Sequence, residues 1–310
     1  MIIKSPIDLE LTQSSGQTSQ DPWMKLNDSY NDVALVDNKP VFFSVSQSNN
    51  YLSLEYNGDI SNKQAILKTK EIFDLDFNLD KFYKYLNNYS ELENVTNFCK
   101  DLRLFIAKDK FECIISSICS ANNSIARWTK SIRDIKIKWG KKHSFHNNNF
   151  YTFPTPSILS EVYLDDLGEM DFLGIEEDSF KCKNNLKSCG VGYRAPYIKS
   201  ASLMFALEMN LSEISKMSYD EAFETILKVP GVGPKVADCI LLYGFNFKNA
   251  FPADVWIKRI ISYLYFDGKD ISVSKVREFG MDEFGDYAGY VQLYLFHYAR
   301  KSGLMNKLKK

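Results

Sequence analysis

The pattern of hydrophobic and polar positions changes near residue 100. Before it, short alternating or continuous apolar runs are separated by Asn, Asp, Gly and Pro, which is typical of antiparallel strands joined by turns. These runs are DVALVDN at 32–38, KPVFFSVSQ at 39–47 and YLSLEYNGD at 51–59. The segment DLDFNLDKFYKYLNN at 74–88 then predicts a connecting helix.

Beyond residue 100, apolar residues recur at i, i+3 and i+4, which predicts amphipathic helices. The segments with this period are 111–120, 122–140, 197–210, 218–229, 234–245, 254–266 and 288–301. We therefore predict an α+β fold, with a small N-terminal antiparallel β-sheet domain at 1–100 and a mostly helical body at 101–310. We expect the C-terminal helix, 288–302, to pack back toward the N-terminal domain.

Composition and charge limit the possible classes of function but do not identify one. The 310 residues are 45% hydrophobic and 25% charged, as in an ordinary globular protein, and the net charge is −1. Residues 1–100 carry 9 lysines against 14 acidic residues, while 127–142 carry seven basic residues and one acidic residue. No stretch approaches the roughly 20 apolar residues of a membrane span, and no signal peptide is evident at the N-terminus. We expect a cytoplasmic protein, associated with the nucleoid if the source is bacterial.

The six cysteines form no CxxC pair, and none follows Cys239. This spacing argues against a structural zinc ion or an iron–sulfur cluster. We expect most of these residues to be free, buried thiols.

The segment VPGVGP at 229–234 separates two predicted helices, so we predict a helix–hairpin–helix near 219–245. Gly231 and Gly233 stand where the backbone can take positive φ without Cβ strain, and Pro234 suits the first turn of a helix. The free amides at that helix N-terminus can bind a DNA phosphate without selecting a base sequence.

Lys235 and Asp254 each stand at the start of a predicted helix. An amine can attack a sugar anomeric carbon and form a Schiff base with the opened sugar. We expect burial and the positive end of the helix to lower the pKa of Lys235. Asp254 is expected to cap the second helix, which would hold its carboxylate in place.

These residues lie within a longer resemblance. LKVPGVGPKVADC at 227–239, followed by FPADV at 251–255, resembles the helix–hairpin–helix DNA glycosylases with a Gly/Pro-rich loop and a catalytic Asp. The match is closest to the eukaryotic-type 8-oxoguanine DNA glycosylases. Further similar segments are SGQ at 15–17, SANNSIAR at 120–127, GVGYRAPY at 190–197 and DYAGYVQLYLF at 286–296.

The resemblance implies a pocket for the damaged base. Its residues would be Cys239, one turn after Lys235, together with Gln292, Phe296 and the backbone carbonyl of Gly16. That carbonyl would accept the N7 hydrogen that 8-oxoguanine has and guanine lacks. The family usually continues the Gly16 motif with Phe-Arg-Trp, where this chain has TSQDPW.

The resemblance also implies contacts to DNA around the extruded base. Asn122, Arg127, Tyr193 and Arg194 match the family's gap-filling, wedging and cytosine-reading residues. Trp256 stands where eukaryotic members usually have a histidine that contacts the lesion phosphate.

The resemblance implies one bound ion as well. The backbone carbonyls of Leu227, Val229 and Val232 would hold a monovalent cation at the hairpin, and no other cofactor is required.

We therefore predict a bifunctional DNA glycosylase/AP lyase that removes 8-oxoguanine opposite cytosine. The expected partner is double-stranded DNA carrying that lesion, bound by a monomer, with no membrane association. Two alternatives remain: the same fold acting on an oxidised pyrimidine or alkylpurine, and a non-catalytic helix–hairpin–helix DNA-binding module.

Overall fold

The structure is a computed structural model that describes residues 1–48, 51–164 and 185–304. Within these residues the predicted α+β class is confirmed: an N-terminal antiparallel sheet is followed by a helical body. None of the helices described is long and apolar enough to cross a lipid bilayer. One of the six cysteines, Cys182, lies outside the described residues.

The sheet has five antiparallel strands in the order β1-β5-β4-β3-β2. Asp37 and Asn38 both take positive φ between β3 and β4, which allows the tight two-residue turn that joins paired antiparallel strands. The strands are β1 (Ile2–Lys4), β2 (Met24–Leu26), β3 (Ser29–Val36), β4 (Lys39–Ser48) and β5 (Tyr51–Asn57).

The N-terminal region also contains helices, of which the sequence pattern predicted only one. They are α1 (Leu9–Ser14), α2 (Asn62–Ile72), α3 (Leu79–Leu86) and α4 (Glu93–Phe98). Helix α2 begins with a capping box between Ser61 and Gln64. That S-x-x-Q signature is visible in the sequence and would have located the helix.

The helical body is built from ten helices among the described residues. They are α5 (Lys110–Ser120), α6 (Ile125–Trp139), α7 (Pro156–Ser160), α8 (Ala195–Leu207), α9 (Leu211–Ile214), α10 (Tyr219–Leu227), α11 (Pro234–Phe245), α12 (Val255–Tyr265), α13 (Val273–Phe284) and α14 (Ala288–Lys301). Helix α13 was not predicted. Its Gly280 packs directly on the ring of Phe251, where a Cβ atom would not fit.

A β-hairpin that the sequence pattern did not predict lies within the mostly helical body after residue 100. It consists of β6 (Lys142–Phe145) and β7 (Asn148–Tyr151). Phe145 and Phe150 pack on Phe42 of β4, with ring centroids 4.8 and 5.1 Å from that of Phe42. The hairpin covers the outer face of the N-terminal sheet, a contact between residues about a hundred positions apart that local periodicity does not show.

Buried polar contacts hold the N-terminal segment on the helical body. The fully buried Arg103 guanidinium donates to the carbonyls of Pro6 at 2.7 Å and Asp74 at 2.6 Å. Lys136 of α6 lies 2.7 Å from Asp21 and 3.4 Å from Glu112. These bonds bring the chain between α1 and β2, which contains Gly16, against α5 and α6.

The last helix packs on residues of the N-terminal region. The ring of Tyr290 stacks on Phe77 with centroids 3.8 Å apart, and the Tyr290 hydroxyl donates to Asp74 at 2.8 Å. Tyr294 donates to the Leu102 carbonyl at 3.0 Å. Helix α14 therefore has one face on the N-terminal region, and its C-terminal end reaches the Gly16 turn.

Candidate functional site

The hairpin between α10 and α11 takes the predicted helix–hairpin–helix form, but its two glycines differ. Gly231 has φ +83°, and a Cβ atom there would lie 2.7 Å from Cβ of Tyr197 on α8. Gly233 has φ −100° and ψ 178°, which is extended backbone open to any residue. The positive φ that glycine permits is therefore used at Gly231 and not at Gly233.

Gly233 is the N-cap of α11 and provides no side-chain cap. Pro234 follows at the first helical position, where its missing N–H is not needed. A Cβ atom on Gly233 would meet nothing within 4 Å. The start of α11 is thus an open backbone surface at the positive end of a helix, the arrangement that suits an anion.

Lys235 follows in the first turn of α11 with its side chain half-buried. Burial, the largest influence, lowers the pKa of its ammonium, but the charges of Cys239 and Asp254 oppose it and the pKa is raised overall. The expected lowering is therefore wrong for the unliganded protein, although the effect of burial has the expected sign. The same charges show that Lys235, Cys239 and Asp254 lie close together.

Cys239 is buried one turn after Lys235 and is a free thiol. Burial, the largest influence, raises the pKa of this thiol, and the charge of Lys235 opposes that rise. The Thr18 side chain interacts with Cys239 and lowers the pKa of its thiol, and the Thr18 hydroxyl lies 3.0 Å from the Ser117 hydroxyl of α5. Thr18 thus brings the N-terminal segment into contact with the interior of the site.

Asp254 is the N-cap of α12, as its position in the sequence predicts. Its Oδ1 accepts hydrogen bonds from the backbone amides of Trp256 and Ile257, both at 2.9 Å. These bonds fix the carboxylate at the positive end of α12. Two helix N-termini, those of α11 and α12, therefore present a lysine and a carboxylate to the same region.

Helix α14 carries two more of the residues predicted for the base pocket. Gln292 is buried; its amide donates to the Pro252 carbonyl at 2.9 Å and accepts from the Tyr243 hydroxyl at 3.5 Å. Phe296 is half-buried one turn later. The guanidinium of Arg300 lies over that ring, 5.0 Å from its centroid, one further turn along the helix.

Gly16 lies between two of these elements. It has φ +83°, and an added Cβ would overlap Ile125 of α6 and lie 3.1 Å from Nη1 of Arg300. The carbonyl of the preceding Ser15 accepts a hydrogen bond from the same Nη1 at 3.1 Å. The turn at Gly16 is thus packed between α6 and α14, which leave no room for a side chain at this position.

The residues of the two predicted DNA-contact loops are placed differently. Asn122, Arg127 and Tyr193 are exposed on the loop after α5, on α6 and before α8. Arg194 is buried; its guanidinium donates to the carbonyls of Ala121 and Asn122, the latter at 3.2 Å. In this conformation Arg194 holds the Asn122 loop instead of presenting its donors to solvent.

Other residues that were predicted to contact DNA or a cation lie at the edge of the site, at the start of α12 and at the hairpin. Trp256 is partly exposed on the first turn of α12, beside the capping carboxylate. At the hairpin, the Val229 carbonyl accepts the Val232 amide at 3.1 Å, which leaves it a second lone pair. Val229 and Val232 are buried at the hairpin, and Leu227, the third residue predicted for the cation, ends α10.

Part of the basic run at 127–142 is structural. Lys136 is buried in the ion cluster with Asp21 and Glu112, and Lys130 pairs with Asp134 along α6. Fewer of these charges are free for DNA than the sequence suggests. No group of three or more metal-ligating side chains occurs in the part of the chain that the structure describes, and the five cysteines within it are free and buried.

The sequence analysis missed several residues that the structure places at or behind the site. Thr18 and Arg300 contact Cys239 and Phe296 respectively. Asp238 is fully buried behind Cys239 and bonds Arg277 of α13 at 2.6 Å. The stripe of Gln292, Phe296 and Arg300 at i, i+4 and i+8 was the one available signal for Arg300.

Comparison with known proteins agrees with this architecture over nearly the whole chain. Residues 115–284 match the HhH-GPD superfamily of base excision DNA repair proteins, and residues 1–114 match the 8-oxoguanine DNA glycosylase N-terminal domain. The chain is 44% identical over 305 residues to a probable N-glycosylase/DNA lyase of Methanothermobacter thermautotrophicus, covering 97% of this chain and 96% of that protein.

Solved structures are similar as well. The 8-oxoguanine glycosylase/lyase of Clostridium acetobutylicum, bound to double-stranded DNA with cytosine opposite 8-oxoguanine, aligns with a TM-score of 0.79 and 30% identity, covering 96% of this chain and 93% of that one. A 3-methyladenine DNA glycosylase from Archaeoglobus fulgidus aligns with a TM-score of 0.78 at 24% identity, covering 97% and 99% of the two chains. The second likeness concerns the fold alone.

Proposed function

We propose, because this chain belongs to the HhH-GPD superfamily of base excision DNA repair proteins, that it removes 8-oxoguanine opposite cytosine from double-stranded DNA. It is a DNA N-glycosylase and DNA lyase of the 8-oxoguanine glycosylase family. The lesion, the opposite base and the residue roles below are the proposal.

One observation supports the proposal most. Lys235 and Asp254 stand at the N-termini of α11 and α12, close enough for the carboxylate to act on the ammonium, and Cys239 lies one turn behind the lysine. A purely DNA-binding hairpin would need neither the amine nor the carboxylate beside it.

In the proposed reaction the neutral amine of Lys235 forms a bond to C1′ as the bond from C1′ to the base breaks. The bonding electrons leave with the base, and the proton lost from the amine is delivered to it. Asp254 stabilises the positive charge that develops on the sugar. As the ring opens, O4′ takes up a proton and C1′ becomes a Schiff base with Lys235. Loss of a proton from C2′ then breaks the C3′–O bond, and the 3′ phosphate leaves with the bonding electrons.

The raised pKa of Lys235 bears on this step. In the unliganded protein the residue is an ammonium near pH 7, so a proton must leave before attack. The insertion of a base beside Cys239 and Asp254 changes the surroundings that set this pKa.

Base recognition is assigned to Cys239, Gln292, Phe296 and the carbonyl of Gly16. The ring of Phe296 offers a stacking face, and Gln292 is held by Pro252 so that its amide has one orientation. The Gly16 carbonyl would accept the N7 hydrogen of 8-oxoguanine. One such buried hydrogen bond is worth about 1–3 kcal/mol, which gives useful but incomplete discrimination from guanine.

Recognition of the opposite cytosine is assigned to Asn122, Arg127, Tyr193 and Arg194. The first three are exposed on the loop after α5, on the first turn of α6 and before α8, and can enter a gap left by an extruded base. Arg194 would act in part by holding the Asn122 loop, since its donors already bind that backbone.

Phosphate contacts are assigned to the hairpin at Gly231 and Gly233 and to Trp256 at the start of α12. We also propose that the carbonyls of Leu227, Val229 and Val232 hold a monovalent cation there. No further cofactor is invoked, and the protein is proposed to act as a monomer in the cytoplasm or on the nucleoid.

Borohydride trapping on a panel of lesion duplexes tests this function. A covalent complex should form with 8-oxoguanine opposite cytosine, and Lys235→Gln should abolish it. Lys228→Gln is the matched control, because this exposed lysine lies on the same hairpin. Trapping that survives in Lys235→Gln would refute the assignment of Lys235 as the nucleophile. Faster excision of an alkylpurine or oxidised pyrimidine would refute the assignment of 8-oxoguanine as the lesion.

A further inference from the structure

Arg300 occupies an unusual place on the last helix. It continues the stripe of Gln292 and Phe296, and its guanidinium lies over the Phe296 ring at 5.0 Å. Its Nη1 donates to the Ser15 carbonyl at 3.1 Å. A single side chain thus touches both the proposed stacking ring and the peptide next to Gly16.

Arg300 is one of several contacts that hold the Gly16 turn, since the neighbouring Gln17 side chain also donates to the Arg103 carbonyl at 2.9 Å. Gly16 takes φ +83°, with Ile125 on one side and Nη1 of Arg300 on the other. The backbone at Gly16 therefore lies between Ile125 and the Arg300 guanidinium, and this guanidinium is its contact with α14.

The charge of Arg300 has no ion-pair partner among the described residues, and the Ser15 carbonyl is its sole hydrogen-bond acceptor there. Burial lowers the pKa of the guanidinium, and the charge of Asp254 acts against that. Taking a cation partly out of water without a carboxylate partner is costly. A cation kept in this position needs a reason beyond the stability of the fold.

We infer that Arg300 is a positioning residue for base recognition, which holds the Ser15–Gly16 turn against Phe296 and so sets the gap between the Gly16 carbonyl and that ring. This inference rests on the proposed function, since it gives the gap an oxidised purine as occupant. Arg300 acts through Ser15 and Phe296 and is not assigned a contact to the reacting atoms.

A simpler role must be distinguished, namely that of a cation that binds a DNA phosphate. A phosphate contact would strengthen binding to any duplex and would add about one unit to the salt dependence of affinity. It would not alter the preference for one base over another. A positioning role changes excision of the base more than it changes reactions that need no base in the pocket.

The experiment compares Arg300→Met, Arg300→Lys and Lys301→Met. Methionine keeps the apolar stem over Phe296 without charge or donor, lysine keeps the charge with a single donor group, and Lys301 is an exposed cation one residue away. For each, single-turnover excision of 8-oxoguanine opposite cytosine is divided by strand scission at a pre-formed abasic site, and duplex affinity is measured against salt.

We expect Arg300→Met to lower this ratio about tenfold, as the loss of an ordering hydrogen bond would. Arg300→Lys should lower it less, and Lys301→Met should not change it. An unchanged ratio in Arg300→Met, or a reduced salt slope with the ratio intact, would overturn the inference. If Arg300→Met fails to fold, Arg300→Lys decides, and an unaltered ratio there overturns the inference. Wild-type protein that cuts abasic sites but leaves 8-oxoguanine in place would refute the proposed function instead.

Discussion

The two hairpin glycines should respond in opposite ways to the same added methyl group. In Gly231→Ala, the new Cβ lies 2.7 Å from Cβ and 2.8 Å from Cγ of Tyr197, at φ +83°. Tyr197 is in the first turn of α8, so the hairpin can relieve the overlap only by moving away from that helix.

The cost has two parts that the structure separates. An alanine in the left-handed region costs about 1 kcal/mol, and relieving an overlap in packed structure costs about 1–3 kcal/mol more. At roughly 2.1 cal/mol/K per residue of unfolding entropy, a total of about 2–4 kcal/mol lowers Tm of this 310-residue chain by roughly 3–6 °C.

Gly233→Ala is the matched control for stability. Its backbone is extended and its Cβ meets nothing within 4 Å, so we expect a loss near 0.5 kcal/mol, about the size of an N-cap effect. The same methyl group is added at the N-cap of α11, where the phosphate is proposed to bind. Gly233→Ala should therefore weaken DNA binding while Tm stays within about 1 °C of wild type.

Thermal unfolding and fluorescence anisotropy with a duplex carrying an abasic-site analogue measure the two effects. Adding Tyr197→Ala to Gly231→Ala should restore the stability that is lost to steric overlap, but not the stability that is lost because alanine is strained at positive φ. Equal Tm values for Gly231→Ala and wild type would refute the reasoning, as would a Gly233→Ala variant as unstable as Gly231→Ala.

Two further predictions concern the charges around α11. Asp238→Asn removes the charged partner of Arg277, whose Nε lies 2.6 Å from the fully buried Asp238 carboxylate. Urea unfolding should show that the free energy of unfolding falls by about 2–4 kcal/mol. A loss no larger than that of Tyr219→Phe, which removes one hydroxyl from the same network, would contradict this prediction. Because the pKa of Lys235 is raised and attack requires the neutral amine, kcat/KM for excision should rise about tenfold per pH unit between about pH 6 and about pH 9. A flat profile over that range would show that the free-enzyme pKa does not limit attack.

Helices α2 and α13 and the β6–β7 hairpin show why local patterns predicted only part of the fold. Helix α2 carried a capping box that periodicity alone did not weigh. Helix α13 is specified by the contact of Gly280 with Phe251, and the β6–β7 hairpin by the contact of its two phenylalanines with Phe42. Such contacts join residues far apart in the sequence, so no window of neighbouring residues contains them.

The sequence by itself determined the features that depend on neighbouring residues. The hairpin, the position of Lys235 in the first turn of α11 and the capping role of Asp254 all follow from short spacings, because helix ends are built from a few consecutive residues. The family followed from the order of such segments along the chain.

The tertiary structure alone decided which glycine needs its positive φ, where Arg194 donates and which further residues lie around the proposed pocket. It brought Arg300 to Ser15 across most of the chain, and it set the direction of the pKa of Lys235 through Cys239 and Asp254. Coulomb energies and steric overlap depend on distances in space, and those distances exist only after α11, α12, α14 and the N-terminal segment have packed together.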